Sequence, residues 1–249
     1  MKNLLKLQIR NLFHSKLFYI CLAITLLSPI LDFIAEIVVP KIPSLSDEIF
    51  ENGMTVSKVF PNFVDFMDGG IGLIGKVFIA IFCCFEFTEG TTKNIIARGF
   101  TRTQYLLSKY ITTIIGLFTM YLVVFIITFI LFMKNGFGYD SSLVMPLVIS
   151  IFEIIAIAIM FSTVSILLEK NSSAIIACLF IPTGVTLLLT VCDSYLKLNI
   201  GKYWIENISM IYTDKPETIN LWLSILYYLL YTLFFMKLGN YLFNKKEIK

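Results

Sequence analysis

From Ile111 to Met133 the chain runs for 23 residues without one charged side chain. As a helix rising 1.5 Å per residue, such a run reaches about 35 Å, enough to cross a hydrocarbon core of about 30 Å. In that solvent each backbone N–H and C=O has to find its partner within the segment, which leaves helix as the form the run takes. The rest of the composition agrees. Only 15% of the 249 residues are charged and 57% are hydrophobic, against roughly 25% charged in a soluble domain. With 23 Phe, 12 Tyr and a mean hydropathy of +0.84, too few polar groups remain to cover a water-exposed surface. The expected fold class is all-α, a polytopic membrane protein.

Five more stretches have the necessary length and apolarity, approximately 17–39, 71–87, 143–168, 174–192 and 221–243, giving six spans in a single transmembrane domain over 1–249. The first is too long for the h-region of a signal peptide and lacks a small-residue cleavage site, so it is expected to stay in the mature chain. Lysine and arginine resist translocation, and their distribution sets the orientation. With both termini inside, about twelve fall on inner segments, including all three arginines (Arg10, Arg98 and Arg102), and about six fall outside: Lys41, Lys58, Lys134, Lys197, Lys202 and Lys215. The first outer loop is acidic through Asp47, Glu48, Glu51, Asp65 and Asp68. Both termini are therefore expected in the cytoplasm, and the protein in a bacterial plasma membrane.

Residues 1–16 read as an amphipathic surface helix, with Leu5, Ile9, Leu12 and Phe13 on one face and Asn3, Arg10 and His14 opposite. A plain positive-inside flank would explain the lysines but not the apolar stripe. Residues 193–220 are longer than a turn and mix Tyr203, Trp204, Ile205, Ile208 and Tyr212 with polar residues, which fits either a re-entrant piece or a loop leaning on the outer leaflet.

Few residues suggest chemistry. Cys21, Cys83, Cys84, Cys178 and Cys192 all lie in apolar stretches, without the spacing of a zinc site or a disulfide framework. One histidine, His14, allows no triad and no His-rich metal site, and it is read as a solvated residue of the surface helix. No catalytic or metal-binding residue is assigned, and the absence of G-x-S-x-G and of paired His ligands disfavours an intramembrane enzyme. Gly70 to Val77 looks like a P-loop, but Val77 stands where the magnesium-binding hydroxyl belongs and no strand precedes the glycines. They are expected instead to let a span pack closely on its neighbour.

Ionisable residues within spans are costly and mark either packing or function. Glu153 lies ten residues from the outer start of its span, about 15 Å deep, and Lys76 five residues into its own, roughly 8 Å deep. The two can pair if their spans are neighbours, and each serves either as an interhelical polar contact or as a lining of a transport path. Asp32 and Glu36 share a helix face near the outer end and read as a wet vestibule or as headgroup-exposed acids. Pro29, Pro146 and Pro182 fall within spans and can kink them.

The most informative segment is the inner loop at 88–110 and its approach, Glu86-Phe-Thr-Glu89-Gly90-Thr91-Thr92-Lys93, then Asn94 to Arg98, Gly99, Arg102, Tyr105 and Lys109. Charged and hydroxyl residues alternate with apolar ones at helical spacing between two glycines, which predicts a short helix bracketed by turns. The strings E-x-x-E-G-T-x-K and G-x-x-R-x-x-Y-x-x-x-K resemble the loop after the second span in ABC-2 type permeases, the membrane subunits of type V ABC transporters. The amphipathic start, the six spans and the inside termini are similar too.

The resemblance implies a coupling element. Residues 94–104 would sit in a groove of a separate ATPase, with Glu89, Gly90, Thr91, Lys93, Arg98, Gly99, Arg102 and Tyr105 as its coupling residues, 1–16 as the family's connecting helix and 193–220 as its outer re-entrant region. It also implies a dimer with the same or a homologous chain, two ATPase subunits carrying ATP and Mg, and no cofactor in this chain. Small permeases of this kind look like those of antimicrobial-peptide immunity and peptide export, so an amphipathic or hydrophobic peptide is the expected substrate. A rival reading, an ion- or proton-coupled carrier built on Glu153, needs no ATPase.

Overall fold

The computed structural model describes residues 1–38, 72–133, 144–197, 199–214 and 217–246. Among these there are helices and turns and no strand: α1 (Lys2–His14), α2 (Lys16–Val38), α3 (Gly72–Thr88), α4 (Thr91–Ala97), α5 (Arg102–Met133), α6 (Val144–Leu168), α7 (Asn171–Leu196), a 3-10 turn (Gly201–Tyr203), α8 (Ile208–Asp214) and α9 (Thr218–Lys245). Four helices are long and apolar enough to cross a membrane, at Arg102–Ile130, Leu147–Leu168, Asn171–Leu196 and Thr218–Lys245, as a multi-pass membrane protein requires. Lys16–Leu27 is a shorter apolar helical stretch within α2. Helix α3 has 17 residues and spans about 26 Å.

Helix α6 forms the centre, with α9, α3, α5 and α7 packed around it. Its buried side chains include Ala156 and Ala158, which admit close neighbours, and Ser150, Ser162, Thr163 and Ser165. The hydroxyls act as interhelical ties: Ser162 and Thr113 Oγ1 of α5 lie 3.0 Å apart, and the Cys84 thiol of α3 donates to the Ser165 carbonyl at 3.1 Å. Threonines within α5 satisfy themselves. Thr112, Thr119 and Thr128 donate to the carbonyls four residues back, at 2.7, 2.7 and 2.9 Å, so a hydroxyl-bearing helix remains compatible with an apolar environment.

Helix α1 lies at the end of the bundle where α3 stops and α5 starts. Its buried positions are Leu4, Gln8 and Leu12, so the protein-facing line is rotated from the expected stripe of Leu5, Ile9, Leu12 and Phe13. Gln8 is drawn inward by a carboxylate on α3, while Leu5 and Ile9 are half-buried and Phe13 is exposed. The end of α9 lies at this same end of the bundle. A ring cluster closes it, with Phe87 of α3 against Tyr105 of α5 at 5.9 Å and Tyr105 stacked on Phe243 of α9 at 6.0 Å.

The tightest crossing is at Gly239 of α9, where a Cβ would run into the Tyr110 hydroxyl and sit 3.0 Å from Thr163 Cγ2. Tyr110 and Thr163 hydrogen-bond at 2.6 Å in the space that this glycine leaves. Gly239→Ala is expected to destabilise the detergent-solubilised protein by about 1–3 kcal/mol, the usual cost of overpacking. Adding Tyr110→Phe should restore part of that loss. Equal unfolding midpoints for wild type and Gly239→Ala would show that α5, α6 and α9 do not meet there.

Candidate functional site

The end of the bundle that carries α1 and α4 is organised around one buried ion pair. Glu86 of α3 and Lys109 of α5 are 5% and 1% exposed, with Nζ to Oε1 at 3.2 Å. The Gln8 side-chain amide of α1 donates to the same oxygen at 2.7 Å. Lys109 also donates to the Phe82 carbonyl at 3.3 Å, and its ammonium lies 4.5 Å from the Phe82 ring centroid. Taking two charges out of water costs several kcal/mol per ion, recovered only when the remaining donors are engaged, as those of Lys109 are. In the sequence Glu86 reads as one letter of a motif and Lys109 as an inner flank, and nothing marks Gln8. The signal present is a polar residue on the apolar side of α1 and two opposite charges, Glu86 just inside the end of one apolar run and Lys109 just before the start of the next.

On this base sits α4, the short helix expected between Gly90 and Gly99. Both glycines have positive φ, 67° and 91°. At Gly99, whose N–H donates to the Ile96 carbonyl at 3.0 Å, an L side chain would be strained and a proline ring excluded. The Thr91 hydroxyl donates to the Glu86 carbonyl at 3.2 Å, tying the start of α4 to the residue that carries the ion pair. Thr92 and Ile95 are buried beneath the helix, whereas Glu89, Gly90, Thr91, Lys93, Ala97, Arg98 and Gly99 are exposed. At 100° per residue, Thr91, Asn94, Ile95 and Arg98 share the side that faces α1, and Lys93 and Ala97 point away from it.

Two of the expected coupling residues turn inward. Arg102 donates to the carbonyls of Phe243, Asn244 and Lys246, capping the end of α9 with its guanidinium. Tyr105 is fully buried in the ring cluster. These two hold the segment from behind, and its exposed side chains include Glu89, Lys93 and Ala97 on one side and Asn94 and Arg98 on the side facing α1. Lys246 follows the same pattern, pairing with Glu169 in the α6–α7 turn at 2.9 Å.

The opposite end folds back into the bundle. Asp193 Oδ1 and Oδ2 accept the N–H groups of Ile200 and Gly201, both at 2.8 Å, and reverse the chain after α7. The Tyr203 carbonyl then accepts the Tyr231 hydroxyl at 3.0 Å. Tyr231 lies thirteen residues into the 28-residue α9, so the turn reaches about 20 Å along that helix. Trp204 packs edge-on against Tyr231, and Ile205 and Ile208 are fully buried. The described part of this segment, 199–214, thus packs back against α9.

That return decides the partner of Lys76. Its ammonium pairs with Glu206 of the returning segment and lies 5.5 Å from the Phe161 ring centroid. The carboxylate that meets it is thus Glu206 and not Glu153, which depth alone had made a possible partner. Glu153 is fully buried on α6, two helical turns or about 12 Å from Phe161 and within electrostatic reach of Tyr121. The P-loop lookalike is helix from Gly72 through Val77, a form with no loop to cradle phosphate. The side chains of Asp32 and Glu36, the acidic stretch from Asp47 to Asp68, and Lys41, Lys58, Lys134 and Lys215 lie outside the described residues. Among the described residues no three His, Cys, Asp or Glu side chains converge as metal ligands.

A family model described as "Protein of unknown function (DUF2705)" matches residues 46–249. No curated protein and no solved structure matches the chain.

Removing one member of the buried pair strands the other. Glu86→Ala or Lys109→Ala should each cost about 3–5 kcal/mol. The double replacement Glu86→Gln with Lys109→Met should cost clearly less than the sum of the single changes. Additive losses in denaturant unfolding of the solubilised protein would mean that the two residues do not interact.

Proposed function

The chain belongs to the DUF2705 family, and we propose that it is the membrane-spanning permease subunit of an ABC exporter. In this reading it works in a bacterial plasma membrane with both termini cytoplasmic and the returning segment 199–214 re-entrant from the outside. It pairs with a second permease chain, and two separate ATPase subunits, which carry the ATP and Mg, drive export of an amphipathic or hydrophobic peptide. The observation that carries the reading is α4, a short exposed helix fixed between two positive-φ glycines and tied through Thr91 and the buried Glu86–Lys109 pair to α3 and α5. A soluble partner that moves such an element moves two bundle helices with it. The resemblance of this stretch to the coupling loop of ABC-2 permeases supplies the partner. Lys93 and Ala97 form the docking face, because Arg102 and Tyr105 are engaged within the chain.

The test is isolation from native membranes in mild detergent, with identification of what co-purifies and measurement of vanadate-sensitive ATP hydrolysis. Lys93→Glu with Ala97→Arg is expected to lose a stoichiometric ATPase subunit and the hydrolysis, with the melting temperature of the permease unchanged. Retention of the partner at wild-type levels would overturn the docking face; a chain that purifies alone under several mild conditions would overturn the ABC reading.

The full burial of Glu153 in the central helix favours a second reading, an ion- or proton-coupled carrier. Glu153→Gln separates the two. Transport abolished with an intact fold would assign Glu153 to a transport path, whereas a lowered folding yield with residual transport would assign it to packing.

A further inference from the structure

Between α1 and α4 lies an open groove of about 810 Å³, within the range of roughly 300–1,000 Å³ typical of pockets that enclose a small ligand. Its floor is apolar and partly bare: Leu7 and Phe85 are 44% and 54% exposed, and Leu17, Ile81 and Phe82 line it with them. Its rim is basic. Lys16 at the start of α2 and Arg98 at the end of α4 are both exposed and line the groove, joined by the amide side chains of Asn11 and Asn94. His14 also lines it, with its ring engaged by the Arg10 carbonyl at 3.0 Å. The one carboxylate in the lining, Glu86, has its charge answered by Lys109.

We propose that this groove binds an anionic phospholipid of the leaflet at the α1 end, its phosphate held by Lys16 and Arg98 and its acyl chains laid over Leu7, Leu17 and Phe85. Two features select this occupant. The net charge of the rim is positive, which demands an anion. The floor is apolar and lies where α2 begins and α3 ends, the level of the headgroups for helices that cross the bilayer, so the apolar part of the ligand continues into the membrane. Such a lipid would join α1 to α4 from the side opposite Lys93 and Ala97. The proposal rests on the membrane reading and is independent of any ATPase.

The test uses the full chain, delipidated in detergent, with phosphatidylglycerol or phosphatidylcholine of identical chains added. Bound lipid is counted by native mass spectrometry and stability is followed by thermal melting. Phosphatidylglycerol is expected to stay bound and to raise the melting temperature, and phosphatidylcholine is not. Lys16→Gln with Arg98→Gln should weaken phosphatidylglycerol binding roughly 30-fold, equivalent to about 1 kcal/mol for each basic contact. The melting temperature of that variant in phosphatidylcholine should equal that of the wild type, showing that it folds. Leu7→Gln, which removes apolar floor and leaves the rim, should also weaken binding. Equal response to the two lipids, or full phosphatidylglycerol binding by the double variant, would overturn the proposal. Equal stabilisation by glycerol phosphate would reassign the groove to a soluble anion. Loss of a co-purifying ATPase from the double variant with lipid binding intact would reassign it to a protein partner; loss of the ATPase only from the Lys93 and Ala97 variant leaves the lipid proposal standing.

Discussion

The ion pair between Glu86 and Lys109 is the constraint on which the α1 end of the molecule depends. Two charges that are almost wholly buried persist only where each finds its donors and acceptors. Here that requirement fixes three things together. It sets the rotation of α1, because Gln8 has to face Glu86. It sets the register of α3 against α5, because Lys109 has to reach both Glu86 and the Phe82 carbonyl. Through Thr91 on the Glu86 carbonyl, it also sets the origin of α4. An apolar pair of the same volume would pack as well but would tolerate sliding by a turn, whereas a buried pair makes every other register costly.

A second set of polar contacts has the same logic deeper in the bundle. Between lipid-facing helices the hydrophobic effect gives no drive to associate, and small residues and hydroxyls take over. Ser162 with Thr113, Tyr110 with Thr163 beside Gly239, and Cys84 on the Ser165 carbonyl place α3, α5 and α9 around α6. The Lys76–Glu206 pair does the same for the returning segment, and Asp193 makes the return by accepting two backbone N–H groups that a sharp reversal would leave open.

How much of this the sequence discloses follows from the range of each interaction. Helices at 111–133, 143–168, 174–192 and 221–243 are legible because an apolar run declares itself locally, and each overlaps one long helix, Arg102–Met133, Val144–Leu168, Asn171–Leu196 and Thr218–Lys245 in turn. The short helix between Gly90 and Gly99 is legible for the same reason, since two glycines at turn positions act on their immediate neighbours. What stays hidden is pairing across the chain. Glu86 and Lys109 are 23 positions apart, Gln8 and Glu86 are 78, and Lys76 and Glu206 are 130. Depth along a helix makes Glu153 a candidate for Lys76 because both lie on apolar runs, and it carries no sign that Glu206 folds back against the bundle from the chain between α7 and α9. The inward turn of Arg102 and Tyr105 is hidden likewise. Both have partners at the end of α9, more than 130 residues on, and no local pattern separates an arginine that caps a distant helix from one that faces a partner.

The division of α4 into two sides follows from these contacts. Thr92 and Ile95 face the bundle, so the exposed part of the helix is split between the α1 side, with Asn94 and Arg98, and the outer side, with Lys93 and Ala97. Two basic residues five positions apart lie about 140° apart around the axis and serve different surroundings. A push on the outer side reaches α3 and α5 through Thr91, Glu86 and Lys109, all within hydrogen-bonding distance of one another in sequence along the path. A ligand on the α1 side bears on the same helix and borders that path, because Thr91, Glu86 and Lys109 also line the groove. Because α1 is held by Gln8 to the same carboxylate, the surface helix and α4 are references for one another, and any movement of α4 against the bundle has to work against the buried pair first.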